Sequence, residues 1–463
     1  MVTSSHNVVV VGAGPAGVRA VETLVAAGVR PTVVDEAAKP GGQIFRSPPD
    51  ELKRSARGVY GFEAARAIRV HGAFDRLVGQ IDYRPGATVW NIGPKRLDVL
   101  IGGRSSTVPW DYLVLATGAM DRVIPFEGWT LPGVFTLGGA QIALKAQACS
   151  IGARPLFFGT GPLLYLVACQ YVKAGVPVSA VLDTAPRGAR LQAMPSLLLG
   201  GTALLKGAAY IAQLRARGVE LVSGVRPVAA IAGADGGVSS FVWQDHHGDE
   251  HRTDCDALGF GYGLRSETQL AELCGLQFAF DPRQRQWLPV VDREGRGSVP
   301  GVYLAGDGAR VRNAELAELT GEQAARALLV DMGQQEHVPR LRALGRKLRR
   351  AERFRRALDC TAFPFPVKLA SSMRSDIVLC RCEGITAGEW RAAATTLGAS
   401  EVNRGKAFSR VGMGRCQGRV CGHAAAEVMA AERGVPLEDV GWFRCQPPVK
   451  PIPLSILAKR APP

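Results

Sequence analysis

Residues 8–17 read VVVVGAGPAG, four β-branched apolar residues running straight into a G-x-G-x-x-G turn. Such a run is a fully buried strand of the kind found in parallel sheets. A helical pattern follows over residues 18–27. Gly12 makes the tight turn, Gly14 lets the backbone approach a pyrophosphate, and Gly17 allows the helix to pack closely on the strand. Pro15 and Ala16, inside the turn, belong to the same candidate site. The helix N-terminus offers unsatisfied N–H groups and a positive dipole end to the phosphates. The next strand, residues 31–34, ends at Asp35 and Glu36. Asp35 lies 21 residues after Gly14, where an acid accepts both ribose hydroxyls of an adenosine half. Strand before, helix after and acid at the right distance together predict a dinucleotide site.

Three further segments favour FAD over NAD. Residues 39–46, KPGGQIFR, bring Gly42 and Gln43 into a loop suited to lie against a flavin. Residues 112–118, YLVLATG, form a strand ending in Thr117 and Gly118. Residues 301–307, GVYLAGD, form a strand ending in Gly306 and Asp307. Taken in this order the segments resemble the glutathione-reductase-like flavoproteins with two dinucleotide-binding domains. The resemblance covers residues 7–330 and implies that Asp307 binds the ribityl chain. The helix around 314–328 would then turn its N-terminus toward the isoalloxazine.

A second strand–turn–helix follows at 155–174, with PLFFGTGPLL in place of a full fingerprint and a later strand ending at Asp183. In the resembling family this unit binds NAD(P). Here Leu164 stands at the third glycine position, and no arginine pair follows to favour a 2′-phosphate. NAD(P) binding is therefore not expected; an empty structural unit or another adenine nucleotide are the alternatives. No Cys-x-x-Cys or Cys-x4-Cys pair occurs in the first 370 residues, so dithiol chemistry is not expected there.

Four of the ten cysteines cluster late in the chain: Cys380 and Cys382, then 33 residues, then Cys416 and Cys421 with four between. Four thiolates are what a [2Fe–2S] cluster requires. Gly412, Gly414 and Gly418 keep the backbone bare near them, and Arg381, Arg415 and Arg419 would offset cluster charge. Thr386 and Glu389 form a capping box that starts a helix, and a second helix over 423–433 stops at Gly434. Zinc on four cysteines and buried free thiols are the alternatives. The region is similar to the [2Fe–2S] domain of bacterioferritin-associated ferredoxin type over roughly 375–435. The expected fold class is thus α/β, a two-dinucleotide-binding-domain flavoprotein with a small α-helical [2Fe–2S] domain at its C-terminal end.

The whole chain resembles the α subunits of heteromeric bacterial amine and amino-acid dehydrogenases. These are the opine oxidase A subunit, D-hydroxyproline dehydrogenase α and the hydrogen cyanide synthase B subunit, with sarcosine oxidase α as a more distant relative. The stretches that carry this are GGQIFR at 41–46, TLGGAQ at 136–141, GTGPLL at 159–164 and PPVKPIPL at 447–454. The resemblance implies a flavin-dependent oxidoreductase subunit. It would take electrons from a partner β subunit, a D-amino-acid-oxidase-like FAD protein, and pass them to an acceptor. The resemblance also implies, as a further partner, a small [2Fe–2S] γ subunit, and by analogy FMN at a subunit interface. No catalytic residue is assigned, because the seven histidines form no base or metal cluster in sequence. The rival from another class is a self-contained NAD(P)H-dependent oxidoreductase that reduces an external partner through the cluster. A non-enzymatic Fe–S carrier or assembly protein would not need the FAD motifs.

Composition bounds the rest. At 463 residues the chain holds about three domains. Residues 1–120 and 286–332 are expected to form the FAD domain, 121–285 the second Rossmann-like domain, 333–374 a basic helical linker, and 375–463 the cluster domain with a proline-rich tail. That tail, with Pro447, Pro448, Pro451 and Pro453, is expected to be extended and not helical. The net charge is +15, and residues 340–356 hold nine Arg or Lys at helical spacing. This is read as a solvated face between domains, with docking of an acidic partner as the alternative. No aromatic platform interleaves with the charges, so nucleic acid is not expected. No apolar run reaches the roughly 18 residues needed to span a bilayer. The best candidate, 194–214, is expected to be one partly buried helix. A leader segment is not expected ahead of the first strand, and scattered single cysteines fit a reducing cytoplasm. The expected location is cytoplasmic, with at most a peripheral membrane association.

Overall fold

The computed structural model describes residues 6–49, 51, 54–198 and 202–458. The chain opens with β1 (Val8–Val11), α1 (Pro15–Ala26), β2 (Thr32–Asp35), β3 (Asp82–Pro85) and β4 (Tyr112–Leu115). It continues through β5 (Ala119–Asp121), β6 (Val134–Thr136), α2 (Leu137–Ala146), β7 (Pro155–Thr160), α3 (Pro162–Lys173) and β8 (Ala180–Asp183). Next come α4 (Ala189–Leu197), α5 (Thr202–Ala216), β9 (Glu220–Ser223), β10 (Ala257–Tyr262), β11 (Leu264–Ser266) and β12 (Val302–Leu304). The remaining main elements are α6 (Ala314–Asp331), α7 (Val338–Ala357), α8 (Ala387–Thr395), α9 (Val402–Ser409) and α10 (Gly422–Arg433).

Two five-stranded parallel sheets organise these elements. The first has the order β12-β4-β1-β2-β3 and the second β9-β8-β7-β10-β6. Both are covered by helices, which is why β1, β7, β8 and β10 are buried along their whole length. The sheets are joined by a two-stranded ribbon in which β5 and β11 pair antiparallel, Ser266 opposite Ala119.

The first sheet is closed by α1 and α6, which cross with almost no space between them. The C-terminal segment does not build a separate core. Leu379, Trp390, Val402, Cys421 and Val428 belong to one contiguous cluster with Phe158 and Phe260 of the second sheet and with Phe126 and Trp129 of the segment between β5 and β6. Trp129 Nε1 donates to the Val378 carbonyl across this contact at 2.7 Å.

Several expectations need correction. The stretch 194–214 is not one helix: α4 carries Pro195 inside it and ends at Leu197, and α5 starts at Thr202. Pro195 removes an N–H donor from α4. The proline tail has neither helix nor strand up to Pro453 and bends at Pro447, Val449 and Lys450; Val449 is buried with its N–H on the Trp90 carbonyl at 3.0 Å. Leu454–Ala458 then forms one short helix, starting where the prolines end. The basic segment is the helix α7, which packs on α6 through Leu341 and Leu344. Among the described residues no helix is long and apolar enough to cross a membrane.

Candidate functional site

The dinucleotide cradle is built by glycines at places where a side chain would meet backbone. Gly12 has φ +105, and a Cβ there would collide with the Ala116 carbonyl. A Cβ on Gly17 would collide with the Gly12 carbonyl, so the helix sits directly on its own turn. Pro15 opens α1, and the N-cap Gly14 supplies no side-chain acceptor for the first amides. Those N–H groups remain available to an anion. Gly42, at φ +62, would bring a Cβ within 2.9 Å of Gly14 Cα, which puts the Gly41–Gly42 loop against the phosphate turn. Gln43 is exposed, and its Oε1 accepts from Arg46 at 3.0 Å.

The two acids at the end of β2 divide their work. Asp35 is buried; its Oδ2 accepts from the Ala13 N–H and its Oδ1 from the Ala37 N–H at 2.6 Å. Both oxygens therefore hold the glycine turn and the following loop in place. Each oxygen accepts one N–H, and a carboxylate has further acceptor sites for ribose hydroxyls. Glu36 is exposed and ion-pairs with Lys450 of the tail.

On the other side, Gly118 has φ +76 and Gly306 φ +65. The Gly306 N–H donates to Thr320 Oγ1 at 2.9 Å. A Cβ on Gly308 would collide with Thr117 Oγ1, so the two sequence motifs at 117–118 and 306–307 meet in space. Asp307 accepts the Arg312 N–H at 2.7 Å, and burial raises its carboxyl to about 6. Asn313 caps α6 by accepting from Leu316 N–H at 2.9 Å. This set of bare glycines, free helix amides and inward polar groups fits an FAD.

Sequence reasoning missed Lys145. It lies on the buried face of α2, 2 % exposed, and donates from Nζ to the Ile44 carbonyl of the flavin-type loop at 3.0 Å. Burial lowers its ammonium to about 7. The signal was present in the pattern: residues 137, 140, 141, 144 and 145 share one helical face.

The second turn has its own outcome. Gly159 and Gly161 take φ +128 and +107, while Leu164 is fully buried in the packing position of the absent third glycine. Asp183 is fully buried and accepts from Tyr165 Oη at 2.7 Å, from the Ala185 N–H at 2.8 Å and from Arg190. Phe363 lies over Arg190. The acid that would hold a ribose is thus already satisfied within the chain.

The four cysteines come together from two segments. The hairpin Val378–Cys380 with Ile385–Thr386 carries Cys380 and Cys382; the loop before α10 carries Cys416 and Cys421. Cys421 lies against both Cys380 and Cys416, and Cys416 against Cys382. The contact with Cys421 pulls Cys380 down to about 6 and Cys416 down to about 5, while Cys421 itself is pushed far up. Four thiols in contact cannot all ionise without a cation among them. Backbone N–H groups of Gly412 and Glu383 point at Cys380, and those of Val420 and Gly418 at Cys416. Such donors stabilise thiolate sulfur. Gly412 and Gly418 pass under the Phe443 ring, where a Cβ would come within 3.0 and 2.8 Å of it.

Among the described residues no three His, Cys, Asp or Glu groups are set to hold one metal ion. A mononuclear zinc site asks for a single centre with four ligands. Four thiols brought together in this way are a donor set for either zinc or a binuclear iron–sulfur cluster. Of the three arginines expected to offset charge, Arg381 lies over Trp129, Arg419 pairs with Glu267 at 3.1 Å, and Arg415 is exposed. The capping box at Thr386 and Glu389 is formed on both sides.

Known proteins carry the same arrangement of sequence. Residues 6–327 match the family model described as pyridine nucleotide-disulphide oxidoreductase, and residues 385–460 match the sarcosine oxidase A3 domain. The opine oxidase A subunit of Agrobacterium tumefaciens (strain Ach5) is 38% identical, covering 98% of this chain and 91% of its own. Hydrogen cyanide synthase subunit HcnB of Pseudomonas aeruginosa is 33% identical, covering 96% of this chain and 97% of its own. The solved L-proline dehydrogenase from P. horikoshii superposes with a TM-score of 0.70 at 19% identity, over 98% of this chain and 79% of that one, which speaks to the fold alone.

Proposed function

This chain belongs to the pyridine nucleotide-disulphide oxidoreductase family and, over nearly its whole length, to the group of HcnB and the opine oxidase A subunits; from that membership we propose that it is the FAD- and [2Fe–2S]-containing electron-transfer α subunit of a hetero-oligomeric amine or amino-acid dehydrogenase. Its electrons come from the flavin of a D-amino-acid-oxidase-like β subunit and leave to an acceptor. An FMN at a subunit interface and a small [2Fe–2S] γ subunit are the further parts of this reading. The protein works in the cytoplasm, with at most a peripheral contact to the membrane.

One observation carries the reading: the nest of Cys380, Cys382, Cys416 and Cys421 sits in the same body as the flavin-type cradle. When bound, FAD supplies two-electron chemistry and the cluster a one-electron outlet. The chain's own residues do the holding. The free amides of α1 and the glycine turn take the pyrophosphate, with Asp35 fixing that turn from behind. Asp35 and Glu36, at the end of β2, are the acids for a ribose, and Asp307 with Thr117 and Gly118 lines the opposite wall. The four thiols hold the iron.

The rival, a self-contained NAD(P)H oxidoreductase, is disfavoured by Asp183, whose carboxylate is already taken by Tyr165 and Arg190. An anaerobic visible and EPR spectrum of the purified chain separates the two. Flavin bands that persist with NADH, and a [2Fe–2S] signal that appears with dithionite, are expected. Bleaching of the flavin by NADH alone would put the rival first.

A further inference from the structure

The two candidate sites are tied together through one residue, Glu267, at the end of the β5–β11 ribbon. Its backbone belongs to the flavin side. The Glu267 N–H donates to the Gly118 carbonyl at 3.0 Å, and its carbonyl accepts from Thr117 Oγ1 at 2.7 Å. Thr117 in turn lies on Gly308, next to Asp307. The side chain belongs to the thiol side. Glu267 Oε2 accepts from Arg419 Nε at 3.1 Å, and the Arg419 N–H donates to the Cys416 carbonyl at 3.0 Å.

A second strap runs parallel to the first. Gln269 N–H donates to Glu267 Oε1 at 3.1 Å, and Gln269 Nε2 donates to the Gln417 carbonyl at 3.0 Å. Gln417 follows Cys416 directly and takes a positive φ of 50°. The Glu267 and Arg419 side chains are 17% and 10% exposed. This is therefore not a solvent-screened surface pair, and a charge-assisted bond there is stronger and better ordered than one in water. Arg419 also donates to the Val449 carbonyl at 2.6 Å, which fixes its guanidinium from a third direction.

We propose that Glu267 is a positioning residue that couples the two redox sites, holding them at one separation and supplying a continuous bonded run between them. The inference rests on the reading above, that this chain holds both FAD and a [2Fe–2S] cluster. Electron transfer through protein weakens more steeply across an unbonded gap than along covalent and hydrogen bonds. The run from Thr117 through Glu267 and Arg419 to Cys416 contains three hydrogen bonds and otherwise covalent structure. With both groups bound, one electron would leave the reduced flavin and one would enter the oxidised cluster in each passage. No bond to Glu267 is made or broken, and the electron later leaves to the acceptor.

The test is anaerobic flash photoreduction of the full chain by a deazaflavin dye with a sacrificial amine as electron donor, after flavin and iron have been assayed. Decay of reduced flavin and bleaching of the cluster band are followed together. The wild type should show one fast phase that does not depend on protein concentration. Glu267→Ala should slow that phase severalfold at unchanged flavin and iron content. Glu267→Gln keeps an acceptor for Arg419 and should restore the rate. Thr117→Val cuts the other end of the run and should slow the phase too, which keeps the test open if Glu267→Ala loses iron. Equal rates in wild type, Glu267→Ala and Thr117→Val, with both groups present, overturn the inference and leave the reading standing. A wild type with flavin but no iron overturns both.

Discussion

Gly321 of α6 faces Ala16 of α1 with no room for a side chain: a Cβ on it would overlap the Ala16 carbonyl oxygen and stand 2.9 Å from the Ala16 Cα. Ala16 sits in the phosphate turn, and α6 starts a few residues after Asp307, so this contact sets the two walls of the flavin cradle against each other. Among the described residues the α1–α6 pair makes the most extensive helix–helix contact.

Gly321→Ala should therefore destabilise the protein, although alanine is the better helix former by about 1 kcal/mol. The obstacle is backbone and cannot rotate away, and overpacking of this kind costs about 1–3 kcal/mol. The two effects oppose, and the larger should win. A lower thermal midpoint and weaker flavin retention on gel filtration are expected. A raised midpoint would mean that the helices part without strain.

Gly414→Ala should disturb the thiol nest and spare the flavin. Its Cβ would run into the Cβ of Cys382, the exposed member of the four. Iron content should fall while the flavin absorbance per chain stays level. Full iron in this variant would show that Cys382 can move aside or is not a ligand.

Cys416→Ser removes the thiol that contacts both Cys421 and Cys382. The dithionite-induced EPR signal should disappear. Transfer from substrate to dye in the assembled enzyme should be lost with it. An iron-free variant with full activity would take the cluster off the electron route.

Lys145 should impose a pH dependence on stability. Its ammonium is lowered by burial from 10.5 to about 7 in the folded chain. Above 10.5 the amine is neutral folded and unfolded, and it costs nothing. As the pH falls toward about 7 the unfolded chain takes up a proton that the folded chain refuses, so stability declines. Below that value the full burial penalty applies, on the order of several kcal/mol. Urea denaturation across this window should show stability rising with pH, and Lys145→Met should flatten the slope. An unchanged slope in the variant would place the proton elsewhere.

Much of this was legible in the sequence because it depends on neighbours along the chain. The GAGPAG turn needs only the residues beside it to demand a positive φ at Gly12. The capping box at Thr386 and Glu389 is a bond between residues three apart. The C-x-C and C-x4-C spacing already marked the four cysteines as one set. Partition between distant segments was not legible. Asp35 and Glu36 are adjacent and chemically alike, and they differ because Asp35 turns inward to the amides of Ala13 and Ala37 while Glu36 meets Lys450, 414 residues away.

What the sequence determined by itself, then, were the local devices: strand, glycine turn, helix caps and the set of four cysteines, each specified by short-range sterics and hydrogen bonding. Only the tertiary structure decided how they share a body. It buried Lys145 against the Ile44 carbonyl, merged the cysteine segment with the core of the second sheet, and ran the Thr117–Glu267–Arg419 contacts between the two sites. The reason is physical: Glu267 lies 150 residues from Thr117 and 152 from Arg419. Contacts at such separations depend on how the sheets and loops pack, and no local pattern encodes them.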